Sequence, residues 1–180
     1  IREFYLSPKG KDANSGVNPN SPWRTLTTAL RRFFADAGDS VRLYLHNGVY
    51  STNATGERLP IRLPSHVSLI GSHRDSVVLE GDSKTRILEI YSARRVNLRN
   101  LTLANGASTS LAPYSAGGIH IYKSAFVNLE QIFFHKNKTS SGGGAIAADS
   151  SEAVIVRNCR FIENQGRGAG IFFHRTGGEI

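Results

Sequence analysis

Cysteine is almost absent: among 180 residues only Cys159 carries a thiol. A single cysteine excludes an internal disulfide, and with it the paired spacings of zinc sites. Its Val-Ile-Val-rich setting reads as a strand with Cys159 as a small buried hydrophobe. Long apolar runs are missing too. None approaches the ~20 residues of a membrane span, so no span is expected in this chain. Nor is there a Lys/Arg run or a nucleic-acid motif, which sets nucleic acid aside as a partner. Acidic residues are the scarcer charge, 14 against 22 Lys and Arg, giving a net charge of +8. Such a balance serves solubility and also favours polyanions, acidic polysaccharide foremost here. Helical patterning is confined to one segment. The glycine runs are not followed by a helix, so they do not read as a phosphate-binding loop.

What the chain does have is repetition. Gly117-Gly118-Ile119-His120-Ile121, Gly143-Gly144-Ala145-Ile146 and Gly168-Ala169-Gly170-Ile171 place Ile119, Ile146 and Ile171 at spacings of 27 and 25 residues. Phe134-His135-Lys136-Asn137 and Phe161-Ile162-Glu163-Asn164 follow the first two at fixed phase. Periods of 20 to 50 residues mark stacked supersecondary units, and short alternating runs make those units coils of strand.

Aligning the coils gives three strands per turn. The first holds 88–91, 119–122, 146–149 and 171–174. With Ile119, Ile121, Ile146, Ala148, Ile171 and Phe173 inward, alternation puts two ladders outside: Glu89, His120, Ala147, Phe172, and Tyr91, Tyr122, Asp149, His174. The second strand holds 96–99, 127–130 and 154–157, with Arg99, Glu130 and Arg157 as an outer charge ladder. Asn100, Gln131 and Asn158 fall at the next bend, where stacked amides can bond one another and the turn. The third strand carries Leu103, Phe134 and Phe161 inward. The glycine runs 142–144 and 166–170 are expected to turn at positive φ.

Ahead of the coils lies a different pattern. Phe4-Tyr5-Leu6 reads as a strand. Ser21-Pro22-Trp23 reads as a helix start, with Ser21 as cap and Pro22 at the first position. Trp23, Leu26, Leu30, Phe33 and Ala37 continue at helical spacing to a stop at Gly38. Such a helix would cover the first coil, and 1–40 is read as an N-terminal cap with 41–180 as coils. The last coil is expected either to continue beyond residue 180 or to be covered by a partner, with end-to-end self-association as one form. No cofactor is expected. Calcium has a single candidate place, the oxygens of Asp12 and Asn14, where a hydrogen-bonded loop is the stronger reading.

Residues 5–50 resemble the N-terminal cap of secreted proteins of the pectate-lyase-like superfamily. The matching residues are Tyr5, Ser7-Pro8, Gly10, Asp12, Asn14, Gly16, Pro22-Trp23, Thr25, Ala29-Leu30, Gly38-Asp39, Val41, Leu43, Gly48 and Tyr50. Residues 134–171 also resemble the repeats of chlamydial polymorphic outer-membrane proteins, in their Gly-Gly-Ala-Ile and Phe-x-x-Asn units. The resemblance implies an all-β, right-handed parallel β-helix with an N-terminal capping α-helix, outside the cell or on its surface. It also implies asparagine ladders at the bend after the second strand.

Three functions follow. The first is a scaffold or binding module (adhesin, surface filament or glycan-binding domain) that takes an acidic polysaccharide or cell-surface glycan. Its ligand site would be Glu89, Tyr91, His120, Tyr122, Asp149 and His174, since aromatic faces stack on sugars and polar tips orient hydroxyls. The second is a polysaccharide lyase or glycosidase. Lyases of the resembling superfamily use clustered Asp or Glu with Arg on one outer sheet. A glycosidase needs two carboxylates ~5–9.5 Å apart, and Glu89 and Asp149 sit in different ladders two coils apart. No catalytic residue is therefore assigned. The third is the sensor ectodomain of a receptor, sharing the same binding face.

Overall fold

A computed structural model describes residues 1–33, 40–109 and 114–180. Their architecture is a right-handed parallel β-helix of three main sheets, with a two-stranded fourth that pairs Ala107–Ser108 with Lys138–Thr139 and one short helix among the described residues. The long sheet has seven strands, in the order Arg2–Leu6, Val41–Leu45, Val67–Gly71, Arg94–Arg99, Ala125–Glu130, Glu152–Arg157 and Gly178–Glu179. The front sheet has five: Ile61–Arg62, Leu88–Tyr91, Ile119–Tyr122, Ile146–Asp149 and Ile171–His174. A third sheet, also of five, is built from Gly48–Tyr50, Val77–Glu80, Thr102–Ala104, Phe133–His135 and Arg160–Ile162.

The register follows the sequence pattern residue for residue. His120 lies beside Glu89 on one side and Ala147 on the other, and Asp149 lies between Tyr122 and His174. Ile119, Ile121, Ile146 and Ala148 are fully buried. Each large aliphatic side chain so removed from water contributes roughly 1.5–3 kcal/mol. Ile171 and Phe173, in the last front strand, are partly buried against the same core, as is the half-buried Cys159. In the third sheet Phe134 and Phe161 stack at 4.9 Å between ring centroids.

Non-glycine residues turn the corners. Ser92, Lys123, Ser150 and Arg175 occupy the first corner with φ of 47–51°. Asn100, Gln131 and Asn158 occupy the second with φ of 54–56°. Left-handed conformation costs a side-chain-bearing residue about 1–2 kcal/mol; the asparagines tolerate it best, the lysine and arginine less. At the first corner Ser124 Oγ accepts from Ala93 N at 3.2 Å, and Ser151 Oγ accepts from Ser124 N at 3.1 Å. These buried hydroxyls satisfy amides that the bend would orphan.

Three expectations are corrected. The helix does not begin at Pro22; it spans Leu26–Phe33, and Thr25 is its cap, with Thr25 Oγ1 accepting from Thr28 N at 3.0 Å. Trp23 is instead extended, bridging Leu6, with its amide donated to Tyr5 O at 2.9 Å. The predicted continuation through Ala37 to Gly38 lies outside the described residues. Second, the amide ladder is displaced. Asn100, Gln131 and Asn158 make the left-handed bend, and the bonded amide pair is Asn137 and Asn164, one strand later. Asn137 Nδ2 donates to Leu103 O (2.8 Å) and Asn164 Oδ1 (3.0 Å), its Oδ1 accepts from Gly106 N (2.9 Å), and Asn164 Nδ2 donates to Phe134 O (2.9 Å). Third, the glycines of these runs are not at positive φ, which among the described glycines is confined to Gly16, Gly48 and Gly56; in the run 166–170 the left-handed residue is Ala169, at φ 46°. A Cβ at Gly143 would strike Phe172 N of the next coil as well as Ile146 O of its own, and one at Gly142 would strike Ser115 O of the preceding coil. Here glycine permits the close approach of one coil's backbone to the next.

The N-terminal strand pairs in register with Val41–Leu45, so it is the first rung of the long sheet. The helix beside it depends on a carboxylate from a distant loop. Glu57, 1% exposed, accepts from Leu26 N at 2.7 Å through Oε1, and from Thr27 N (2.9 Å) and Thr27 Oγ1 (2.6 Å) through Oε2. An anion there meets the first free amides of the helix and the positive end of its dipole. Burial nonetheless pushes the Glu57 carboxyl above its ordinary value, more than the hydrogen bonds from Thr27 and Leu26 lower it. Asp12 braces the same turn, accepting from Arg24 N, Thr25 N and Thr25 Oγ1 at 2.9–3.0 Å, while Asn14 Nδ2 donates to Pro22 O.

Candidate functional site

The front sheet presents its outer face through the alternation that buries its isoleucines, so strand phase alone decides which side chains reach solvent. All six predicted site residues lie on that face. The structure gathers them into two clusters.

The first is built on Leu88–Tyr91 and Ile119–Tyr122. Tyr91 Oη and His120 Nδ1 are 2.8 Å apart, and Tyr91 Oη lies 3.3 Å from Glu89 Oε1. Arg86 organises this cluster. Its Nη1 donates to Glu89 Oε1 at 2.6 Å and to Tyr91 Oη at 3.0 Å, and its Nε donates to Ala116 O at 2.9 Å. Its Nη2 reaches Ser108 Oγ and Ser115 Oγ. The pair is largely screened from water, with Arg86 and Glu89 side chains 11% and 19% exposed. Burial, then the neighbouring Arg86 charge, brings His120 down to about 4, although Asp149 acts the other way. His120 is thus a neutral imidazole at pH 7. Burial likewise raises the Tyr91 hydroxyl.

The second cluster spans Ile146–Asp149 and Ile171–His174. His174 Nδ1 and Asp149 Oδ1 are 2.8 Å apart. Burial raises the Asp149 carboxyl, but hydrogen bonds from His174 and Ser150, with the charges of His174 and Arg175, outweigh it and hold it below its ordinary value. Tyr114 covers this end of the face, stacked on His174 at 4.1 Å and on Phe172 at 5.2 Å. Between the clusters, Tyr122 meets Tyr91 edge-on at 6.2 Å, with the Lys123 ammonium 5.1 Å from its ring centroid.

Both carboxylates are engaged, Glu89 with Arg86 and Asp149 with His174. Among the described residues no group of three or more His, Cys, Asp or Glu forms a metal cluster. Arg86 and Tyr114 were missed by sequence reading because neither belongs to a ladder. Arg86 precedes its strand by two residues, and Tyr114 arrives on the segment before Ile119–Tyr122. A hint lay in Arg62, whose place beside Glu89 in register was within reach of the alignment. Its guanidinium lies 5.4 Å from the Tyr91 ring centroid. Arg62 also rims a hollow of about 250 Å³, lined by Leu30, Arg31, Arg58, Pro60 and Ile61, where the helix meets the edge of the front sheet.

No curated protein matches the sequence. Among solved structures, a protein titled rhamnogalacturonan lyase is similar at 12% identity and a TM-score of 0.49, over 100% of this chain and 63% of that one. Pectate lyase Pel9A is similar at 11% and 0.43, over 88% and 55%. Pectin methylesterase PemA from Erwinia chrysanthemi is similar at 14% and 0.41, over 85% and 54%. The chain thus spans between 54% and 63% of the length of these structures. The chain belongs to the family described as Protein of unknown function (DUF1565), whose pattern matches residues 8–177.

Proposed function

We propose that this chain is an extracellular or cell-surface β-helix that binds an acidic saccharide across the outer face of the front sheet. One observation carries the reading. The face is paved with Tyr91, Tyr122, His174 and Tyr114, both its carboxylates are paired internally, and cations remain at its border. Arg31, Arg58 and Arg62 have no carboxylate partner among the described residues, and Lys123 lies against Tyr122. Ring faces suit the apolar side of a pyranose, hydroxyl and imidazole tips suit its hydroxyls, and the flanking cations suit a carboxylate or sulfate. Five strands at ~4.8 Å give a platform ~19 Å across, room for several sugar units laid across the coils.

The enzymatic alternative has one observation in its favour, a neutral His120 hydrogen-bonded to Tyr91. Magnitude argues against it. A base whose conjugate acid has a pKa near 4 is available but weak, far from the match to operating pH that proton abstraction favours. The paired carboxylates supply neither the free acid nor the free nucleophile of a glycosidase.

Titration with tetragalacturonate by calorimetry, at low and high salt, tests the proposal. Saturable binding that weakens as salt rises is expected, with about a ten-fold loss in Tyr122→Ser and again in His174→Ala. Binding that survives both substitutions would remove this face from consideration. Release of unsaturated oligosaccharide by the wild type, abolished in His120→Gln, would establish the lyase reading instead.

A further inference from the structure

A second saccharide site lies on a different sheet. Within the long sheet four successive coils carry a bulge just before the inward valine, formed by His66, Arg95, Phe126 and Ala153 with φ of 63°, 56°, 57° and 49°. The bulge turns these side chains outward. Phenylalanine stands out among them as a large apolar side chain. A bulky residue is disfavoured at positive φ, and this ring is 48% exposed. Strain and exposed apolar area both count against Phe126, and packing returns little. Its ring neighbours are cations from the preceding coil, Arg94 at 5.4 Å and Arg95 at 6.0 Å from the centroid to guanidinium carbon. Neither arginine has a carboxylate partner among the described residues.

The surroundings turn this exposed ring into a recess. On the following coil the small Ala153 leaves space beside it, and a hollow of about 270 Å³ opens there, lined by Arg95, Asn97, Phe126, Asn128, Ala153 and Ile155. Asn97 and Asn128 are register partners on adjacent strands, so their carboxamides point from one face at strand spacing. Asn97 Nδ2 makes one long contact, 3.3 Å to Ser68 Oγ, which leaves donor and acceptor capacity at the hollow. An apolar ring, two neighbouring carboxamides and two guanidinium groups form a complementary set for one kind of ligand. A pyranose stacks its C–H face on the ring, the amides take its hydroxyls, and an arginine takes a carboxylate.

We infer that Phe126, Asn97, Asn128 and Arg95 form a binding site for a uronate unit of an acidic saccharide, separate from the front-sheet face. It stands or falls independently of that face, since the two lie on different sheets.

The test uses the Tyr122→Ser/His174→Ala protein, in which the front-sheet face is disabled, and tetragalacturonate with its methyl ester as probes. In amide-correlated NMR the side-chain amides of Asn97 and Asn128 are expected to shift saturably with tetragalacturonate. The methyl ester, which keeps the sugar rings and hydroxyls but is uncharged, is expected to bind several-fold more weakly. Phe126→Asn, a residue that tolerates positive φ, is expected to keep or raise the melting temperature and to weaken binding about ten-fold. Arg95→Gln is expected to weaken the acid and leave the ester unchanged. Unshifted Asn97 and Asn128 amides at millimolar probe, equal binding of acid and ester, or unaltered affinity in a folded Phe126→Asn protein would each overturn the inference.

Discussion

The helix-bearing N-terminal end and the repeating coils solve one problem in opposite ways. Both must satisfy backbone amides where the chain bends away from a strand. The coils use a local rule repeated at each turn: a left-handed residue at the corner, a Ser or Asn oxygen from the neighbouring coil, and aliphatic side chains inward. The N-terminal end uses contacts made once. Glu57 reaches back 31 positions to Leu26 N, and Asp12 reaches forward 13 to Thr25. A repeated rule is robust because each rung is supported by two others. A contact made once has no neighbour to take over, so the two regions should fail differently when single residues change.

The largest effect is expected at Ile146→Asp. Ile146 is fully buried between Ile119 and Ile171 in register. An aspartate there places a carboxylate among aliphatic side chains with no partner, a cost above about 4 kcal/mol. The protein should be unfolded or aggregated, read by loss of the strand signal in circular dichroism. A stable, soluble variant would mean that the ladder is off by one residue.

Next comes the N-terminal end, where the comparison is sharpest. Glu57→Ala removes one side chain and strands two helix amides and the Thr27 hydroxyl. A buried donor left unsatisfied costs about 1–3 kcal/mol, so an overall loss of about 3 kcal/mol is expected. Glu57→Gln keeps an acceptor and should lose less. The pattern matters more than the total. Amide exchange should quicken around Leu26–Phe33 while the strands from Leu88 onward keep their protection. Uniform loss across the coils would show that the two regions are one cooperative unit.

The same contrast explains what the sequence made legible. Coil register could be read because the stretches from 88 to 174 repeat one in–out alternation, and a one-residue error would have turned every isoleucine outward. The six predicted site residues inherited their place on the outer face from that register. The helix start is misplaced because Ser21-Pro22 carries the local signals of an N-terminus, whereas the true cap, Thr25, is held by Asp12, and the next amide, Leu26 N, by a glutamate 31 residues away in sequence. Arg86 was invisible for a related reason. Its five partners come from three separate parts of the chain, and nothing periodic marks it. The asparagine ladder was expected one bend early because Asn100 and Asn158 have the right residue type. Burial is what separates Asn137, with no exposed surface, from them.

A smaller effect separates the two regions by pH. His120 is held to about 4 when folded against an ordinary 6.5. The unfolded chain therefore binds more protons between those values, and this histidine's contribution to stability is lost as pH falls from about 6.5 to 4. Glu57 works in the opposite sense. Its folded value is raised, so the native state holds the extra proton, and stability is lost as pH climbs through the window above 4.5. Urea midpoints across pH 4 to 7 should rise with pH more steeply in the wild type than in His120→Gln, and Glu57→Gln should steepen the rise. Equal slopes for wild type and His120→Gln would remove the histidine from the balance.

The smallest effect on stability is expected at Tyr122→Ser, although it sits one residue from Ile121. Tyr122 projects from the front sheet, half-buried, with an edge-on contact to Tyr91 and Lys123 over its ring. Contacts of this kind are worth about 0.5–1 kcal/mol each at exposed sites, so the melting temperature should fall by only a few degrees. Binding of an acidic saccharide, if the ring is its platform, should fall about ten-fold in the same protein. The two readouts separate what the ladders do inward from what they do outward. A large drop in stability would make Tyr122 part of the scaffold. A stable variant with undiminished affinity would leave the ring as surface and shift the search for the ligand to Phe126.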